Sequence, residues 1–274
     1  MCIRDRCTIE EREEYEPHID RGTIVYAGVD YGAILAEAEK EADVILWDGG
    51  NNDLPFYRSN LEIVVADPHR AGHELAFHPG EANLRRADLI VLNKMGTAPE
   101  GAAEEVRANI RAVNPGATVI EADSPCRLLG DVDLAGKRVL VIEDGPTLTH
   151  GGMAYGAGVV AAREAGVAEI VDPRPYAVGS IRTTYEKYPG TGPVLPAMGY
   201  GESQVADLAG TVAATPCDAV VIGTPIDLSR LVEFARPAVR VTYDLRERVE
   251  GGLREALATV HPAIARRSEG ATAR

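Results

Sequence analysis

Four short apolar runs, each closed by a polar group, confine what this chain can fold into. Val44–Ile45–Leu46–Trp47 stops at Asp48 and turns through Gly49-Gly50-Asn51-Asn52-Asp53. Ile63–Ala66 stops at Asp67-Pro68-His69-Arg70, Ala87–Leu92 at Asn93-Lys94, and Ala117–Glu121 at Ala122-Asp123. Continuous apolar runs of this length, without strict alternation, suit parallel strands buried on both faces. Amphipathic stretches lie between them, such as Pro99–Val113 with its proline in the first turn. Strands that alternate with helices argue a mostly parallel α/β fold.

In open α/β sheets, ligands collect outside the carboxyl ends of the strands. Asp48, Asp67 and Asn93 are therefore expected along one edge of a first sheet. The bland alternative is that the aspartates cap helices and close turns. Glycine and asparagine after Asp48 give the turn its backbone freedom. His69, Arg70 and His73, with His78 beyond, are read as donors to phosphate oxygens. Their surroundings are rich in proline and glycine, and no acidic or cysteine partner completes a metal shell at close spacing.

Asp131–Lys137 is a polar link, so the expected domains are 7–132 and 133–261. The second begins with a strand at Arg138–Ile142 that runs into Glu143-Asp144-Gly145-Pro146. Thr147–Gly152 then precedes a small-residue helix. Its glycines read equally as an anion site at a helix N-terminus, made by His150, Gly151 and Gly152, or as close helix–sheet packing. The proline-rich stretch Pro173–Gly201 reads as a long functional loop. Arg174, Tyr176 and Arg182 in it would give an anionic ligand its counter-charge. Residues 262–274 read as a frayed tail.

The formal charge of −14 excludes a nucleic-acid partner, which needs a basic face. Cys2, Cys7, Cys126 and Cys217 form no C-x-x-C pair or zinc spacing. No apolar run is long enough to span a membrane, so a reducing cytoplasm is the expected compartment. The expected partners are a nucleotide and a small anionic phosphorylated substrate, with room for a homo-oligomer. Met1–Arg6 resembles a translated adapter remnant, and the native sequence is expected to begin at Cys7, inside a longer protein.

WDGGNNDLPFYR, VADPHRAGHE, LNKMGTA, EADSP, IEDGPTLTHGGMAYGAG and LPAMGYGE resemble, in this order, one bacterial and archaeal family. Its members are described as P-loop GTPases or cyclic 2,3-diphosphoglycerate synthase-like proteins. The resemblance runs from about Cys7 to Asp244. It implies an incomplete P-loop NTPase-type parallel sheet followed by a second Rossmann-like α/β lobe. No G-x-x-x-x-G-K-[ST] phosphate cradle occurs in this chain, so the chain alone is expected to lack turnover.

The implied reaction forms a phosphoanhydride by ATP-driven cyclisation of 2,3-diphosphoglycerate, with Mg²⁺ and ATP or GTP. The alternative is a regulatory or chaperone-type GTPase or ATPase with no small-molecule product. By the same resemblance, Asp48 is the Mg²⁺-side carboxylate. Gly49, Gly50, Asn51 and Asp53 belong to a switch-like loop. Asn93 and Lys94 face the base, with Ala122 and Asp123 nearby. Gly96 stands where the N-K-x-D motif of the family has aspartate.

Overall fold

The computed structural model describes residues 9–49, 53–149, 154–197, 201–225 and 227–260. In chain order the elements are α1 (Ile9–Asp20), α2 (Tyr31–Ala38), β1 (Ile63–Ala66), α3 (His73–Ala76), α4 (Gly80–Arg86), β2 (Leu89–Leu92), α5 (Ala102–Val113) and β3 (Thr118–Asp123). There follow β4 (Cys126–Leu129), β5 (Arg138–Asp144), α6 (Gly145–Thr149), α7 (Ala157–Glu164), β6 (Glu169–Ile170), α8 (Gly179–Lys187), β7 (Leu195–Ala197) and α9 (Glu202–Ala214). The last elements are β8 (Ala219–Gly223), β9 (Ala238–Tyr243), β10 (Arg246–Glu247) and α10 (Gly252–Val260). The chain is α/β.

It divides into two compact units, one made of Tyr26–Pro125 with the stretch after Asp244, the other of Cys126–Tyr243 with the stretch before Tyr26. The division differs from the expected 132/133 boundary at both ends. The polar link at 131–137 lies inside the second unit because β4, just before it, pairs antiparallel with β9. The chain then returns to the first unit, where β10 pairs antiparallel with β3. Both connections rest on pairs of two to four residues that carry little apolar signal.

In the first unit the strand order is β1-β2-β3-β10, with β1, β2 and β3 mutually parallel. Ala66, Ile90 and Leu92 from the sheet pack with Leu84 of α4 and Val106 and Ile110 of α5. Burial of this face drives the layer together, at roughly 25 cal/mol per Å² of apolar surface removed from water. The Asn114 amide donates to the carbonyls of Leu84 and Ala87 at 2.9 and 2.8 Å, tying the end of α5 to the turn before β2. Asp30 caps α2 as its position suggests, accepting from the Ala33 N–H at 3.0 Å.

Val44–Trp47 corrects the strand expectation. It is irregular chain outside the described sheets, starting from a bend at Asp43–Val44, with Val44, Ile45 and Leu46 exposed. An apolar run becomes a strand only where a neighbour accepts its backbone hydrogen bonds, and no described strand pairs with it. Side chains hold it locally instead: Trp47 meets Tyr31 and Tyr57 edge-on at centroid distances of 4.9 and 4.7 Å. Among the described strands, β1 therefore stands at the edge of the sheet.

The second unit is a six-stranded sheet with the path β4-β9-β8-β5-β6 and with β7 also paired to β5. Leu140 and Ile142 on one face join a core with Ile181, Tyr185, Leu208 and Val212 of α8 and α9. Val139 and Val141 on the other join Val159, Ala161 and Ala162 of α7. This is a three-layer α/β/α arrangement. The proline-rich stretch holds α8 and β7, not an unstructured loop. Ile181 and Tyr185, four apart on α8, are buried together, and the Tyr185 hydroxyl donates to the Val194 carbonyl at 2.7 Å. Pro196 is tolerated in β7 because, among the described residues, that strand pairs with β5 alone.

These packing differences set an expected outcome. Leu84→Ala, which empties a fully buried site, should cost about 2–5 kcal/mol in denaturant unfolding. Leu46→Ala should stay within about 0.5 kcal/mol. Equal losses would show that Val44–Trp47 is packed after all.

Candidate functional site

Parallel register brings the polar ends of the first sheet to one edge. Ala66 pairs with Leu92, and Leu92 with Glu121. Asp67, Asn93 and Asp123 therefore leave the sheet on the same side. The ladder continues one step further, with the Asn93 N–H donating to the Ala66 carbonyl at 3.0 Å.

Asp67 is the hub of that edge. Its Oδ1 accepts the His69 backbone N–H at 2.9 Å and lies 2.9 Å from His69 Nδ1. Its Oδ2 accepts from Lys94 Nζ at 2.6 Å. Burial alone would raise its pKa. The hydrogen bonds from Lys94 and His69, with the Lys94 charge, outweigh that and hold the carboxyl below its usual 3.8.

Lys94 occupies the left-handed region, with φ of 56°, the sole non-glycine residue at positive φ among the described residues. Such a backbone costs on the order of 1 kcal/mol and persists where its surroundings determine it. Here the Asn93 side chain accepts the Lys94 N–H at 2.8 Å while the ammonium reaches Asp67.

Asp123 is the second carboxylate of the edge. Arg248 donates to its Oδ1 through Nε and Nη2, both at 3.0 Å, and Arg246 reaches Oδ2 at 3.3 Å. Burial pushes its pKa up, but the two arginines bring it down overall. This cluster also gives Gly96 a physical reading. A Cβ at position 96 would lie 3.1 Å from Asp123 Oδ1. An aspartate there would set two carboxylates side by side, so Asp123 fills the space that the fourth motif position would use.

The remaining expected residues fall differently. Ala122 is fully buried in β3, so its side chain supports the edge from beneath. Arg70 is half-buried beside His69, while His73 is exposed, its ring tilted at 59° to that of Phe77 with centroids 4.9 Å apart. Asp48, Gly49 and Asp53 lie on exposed chain outside the sheet, with Asp53 folded back near Gly49. No group of three or more His, Cys, Asp or Glu able to hold a metal occurs among the described residues. Gly50, Asn51, His150, Gly151 and Gly152 lie outside the described residues. Arg174 is held by Asp172 through Nε and Nη2 at 2.6 to 3.0 Å, and Arg182 Nε donates to the Ala177 carbonyl at 3.1 Å. Tyr176 is exposed on the short turn Arg174–Tyr176.

The second unit has a polar strand end of its own. β5 has β8 on one side and β6 and β7 on the other, so its carboxyl end is a topological switch point, where ligand crevices form. Glu143 sits there, 1% exposed. It accepts from the backbone N–H groups of Gly156, Val159 and Gly158 at 2.9, 2.8 and 3.2 Å. The protein's own carboxylate thus occupies the N-terminus of α7, the place where an external anion would bind. Burial pushes the Glu143 carboxyl up, against the pull of those three N–H groups. Glycine is required around it: a Cβ at 156 or 223 would come within 2.6 or 2.5 Å of Glu143 Oε2.

Sequence reading missed Glu143, Arg246 and Arg248. The first was hidden in an apolar strand. The arginines lie after a second crossing between units. The signal that could have found Glu143 was the spacing of Gly156 and Gly158 at the start of a helix.

No family model matches the chain. The chain is 61% identical over 251 residues to a protein named arginine synthetase ArcE from Thermococcus kodakarensis (strain ATCC BAA-918 / JCM 12380 / KOD1). The match covers 92% of this chain and 56% of that protein, so the chain spans about half the length of this relative. No helix among the described residues is long and apolar enough to cross a membrane.

Asp67 sets an acid-dependent outcome. Because its folded pKa is depressed, its contribution is present above the ordinary value of 3.8 and lost as pH falls through the lower folded value. Asp67→Asn should cost about 1.5–3 kcal/mol at neutral pH, the range for hydrogen bonds to charged groups. The gap to wild type should narrow below pH 3.8. A gap independent of pH would mean that the charge of Asp67 adds nothing to folding.

Proposed function

We propose that this chain is part of an ATP-dependent ligase that forms arginine. The observation that carries the reading is its 61% identity, over nearly its whole length, to a protein of that name. The first-sheet edge supports it chemically. A ligase that builds a guanidinium group must replace a poor leaving group on carbon with nitrogen, and phosphorylation by ATP makes that oxygen able to leave. Such a step needs a cation for phosphate oxygens and an acceptor for the proton of the nitrogen nucleophile. Lys94 and His69, both held by Asp67, supply one of each.

Mg²⁺ belongs to the same proposal. Magnesium is usually bound through one or two carboxylates plus substrate phosphates and water. Asp48 and Asp53, exposed and close along the chain, suit that kind of site, in which the nucleotide brings most of the ligands. When bound, the ion would neutralise phosphate charge. Asn93 and Asp123 remain the proposed nucleotide-side contacts. The P-loop-type reading of the first sheet and a cytoplasmic location stay within this proposal, as do a nucleotide and a small anionic substrate as partners.

The phosphoanhydride-forming reading shares ATP-driven activation of an oxygen and differs in its acceptor. A GTPase reading is not favoured, because Asp123 is engaged by two arginines and Gly96 carries no guanine-reading carboxylate.

The test is to place residues 7–260 in the Thermococcus relative in exchange for its matched segment, and to assay the resulting protein beside this chain alone. ATP-dependent formation of arginine from an ω-ureido amino acid and ammonia is expected from the exchanged protein. A folded exchanged protein that makes a cyclic phosphoanhydride, or only nucleoside diphosphate and phosphate, would rule the arginine reading out.

A further inference from the structure

The edge of the first sheet contains more than capping requires. An aspartate that merely closes the turn after β1 needs one bond, from its Oδ1 to the His69 backbone N–H. Asp67 also meets the His69 ring at Nδ1, and a lysine brought from the next strand. Since Asp67 is an acceptor, the ring proton sits on Nδ1 and the lone pair on Nε2. That is the arrangement in which a carboxylate fixes a histidine as a proton acceptor. No second hydrogen-bond partner of the ring occurs among the described residues, and the side chain is only 18% exposed. The ring is thus oriented by Asp67 and open at Nε2. It stands at the sheet edge where a ligand is expected.

We propose that His69 is the general base of the carbon–nitrogen bond-forming step, with Asp67 as its positioning residue and Lys94 as the cation for the departing phosphate. The proposal rests on the ligase reading above. In that step the nitrogen of ammonia attacks the carbon bearing the phosphorylated oxygen. The new C–N bond forms, the C–O bond breaks, and phosphate leaves with the bonding pair. One N–H proton passes to His69 Nε2 and from there to the phosphate or solvent. The nucleoside triphosphate consumed beforehand supplies the phosphoryl group, so no oxidant or reductant is needed. The negative charge of Asp67 stabilises the imidazolium that forms, and its bond to Lys94 keeps the carboxylate ionised.

The experiment has two arms. In the first, the imidazole nitrogens of this chain, ¹⁵N-labelled at histidine, are observed by NMR with no substrate present. His69 is expected as the neutral tautomer with Nε2 unprotonated, and Asp67→Asn should shift it toward the other tautomer. Finding Nε2 protonated in the wild-type neutral ring overturns the proposal without any activity measurement.

In the second arm, arginine formation is followed in the exchanged protein described above. His69→Ala should lower kcat about 100-fold or more, as expected for loss of a general base, with KM little changed. Added imidazole should restore part of the rate. Asp67→Asn should lower kcat while keeping the ring, and it decides the matter if His69→Ala does not fold. If the unsubstituted protein forms no arginine, the ligase reading fails and this proposal falls with it. If it forms arginine and His69→Ala stays within threefold, only the assignment of His69 is overturned.

Discussion

The carboxylate of Asp67 ties together three pieces of chain that the first sheet brings to one edge. β1 delivers it, the turn after β1 returns His69 to it, and the turn after β2 sends Lys94 across. The bond from Lys94 depends on the pairing of β1 with β2, because a one-residue slip would turn the apolar face of the slipped strand away from the core. Packing of Ala66, Ile90 and Leu92 against α4 and α5 therefore fixes the register, and the register fixes the polar edge. The unusual backbone of Lys94 is a consequence: its ammonium reaches Asp67 only from a chain that has turned sharply out of β2.

A second carboxylate, Glu143, occupies the equivalent place in the other unit and behaves in the opposite way. Both end parallel strands and both accept backbone N–H groups. Asp67 is partly open and faces a cation, so its charge is favoured. Glu143 is sealed among glycines at the start of α7 with no cation beside it among the described residues, so burial works against its charge. The first environment holds an ionised carboxylate against a lysine at a partly open sheet edge. The second uses its carboxylate internally, to join β5 to α7.

Much of this was legible in the sequence. Short apolar runs ending in Asp67 and Asn93 announced parallel strands with a polar edge, and both residues stand there, whereas Asp48, expected beside them, lies outside the sheet. What escaped has specific causes. Val44–Trp47 has the composition of a buried strand, but composition says nothing about whether a partner exists, and among the described strands none pairs with it. The proline count of 173–201 masked α8, whose buried Ile181 and Tyr185 matter more than its flanks. Gly96 looked like a lost base-reading residue; its meaning emerged only when Asp123 was found occupying that space. Arg246 and Arg248 contribute across more than a hundred residues of chain, a distance over which local pattern carries no information.

Lys94 and the His69 turn hold Asp67 ionised to lower pH than an ordinary aspartate. This is tested most directly by following the Asp67 side-chain carboxyl by ¹³C NMR through an acid titration, in the wild-type chain and in Lys94→Met. The account predicts a wild-type midpoint below the ordinary aspartate value of 3.8 and an upward move when the ammonium is removed. An ordinary midpoint in the wild type, unmoved by Lys94→Met, would contradict it.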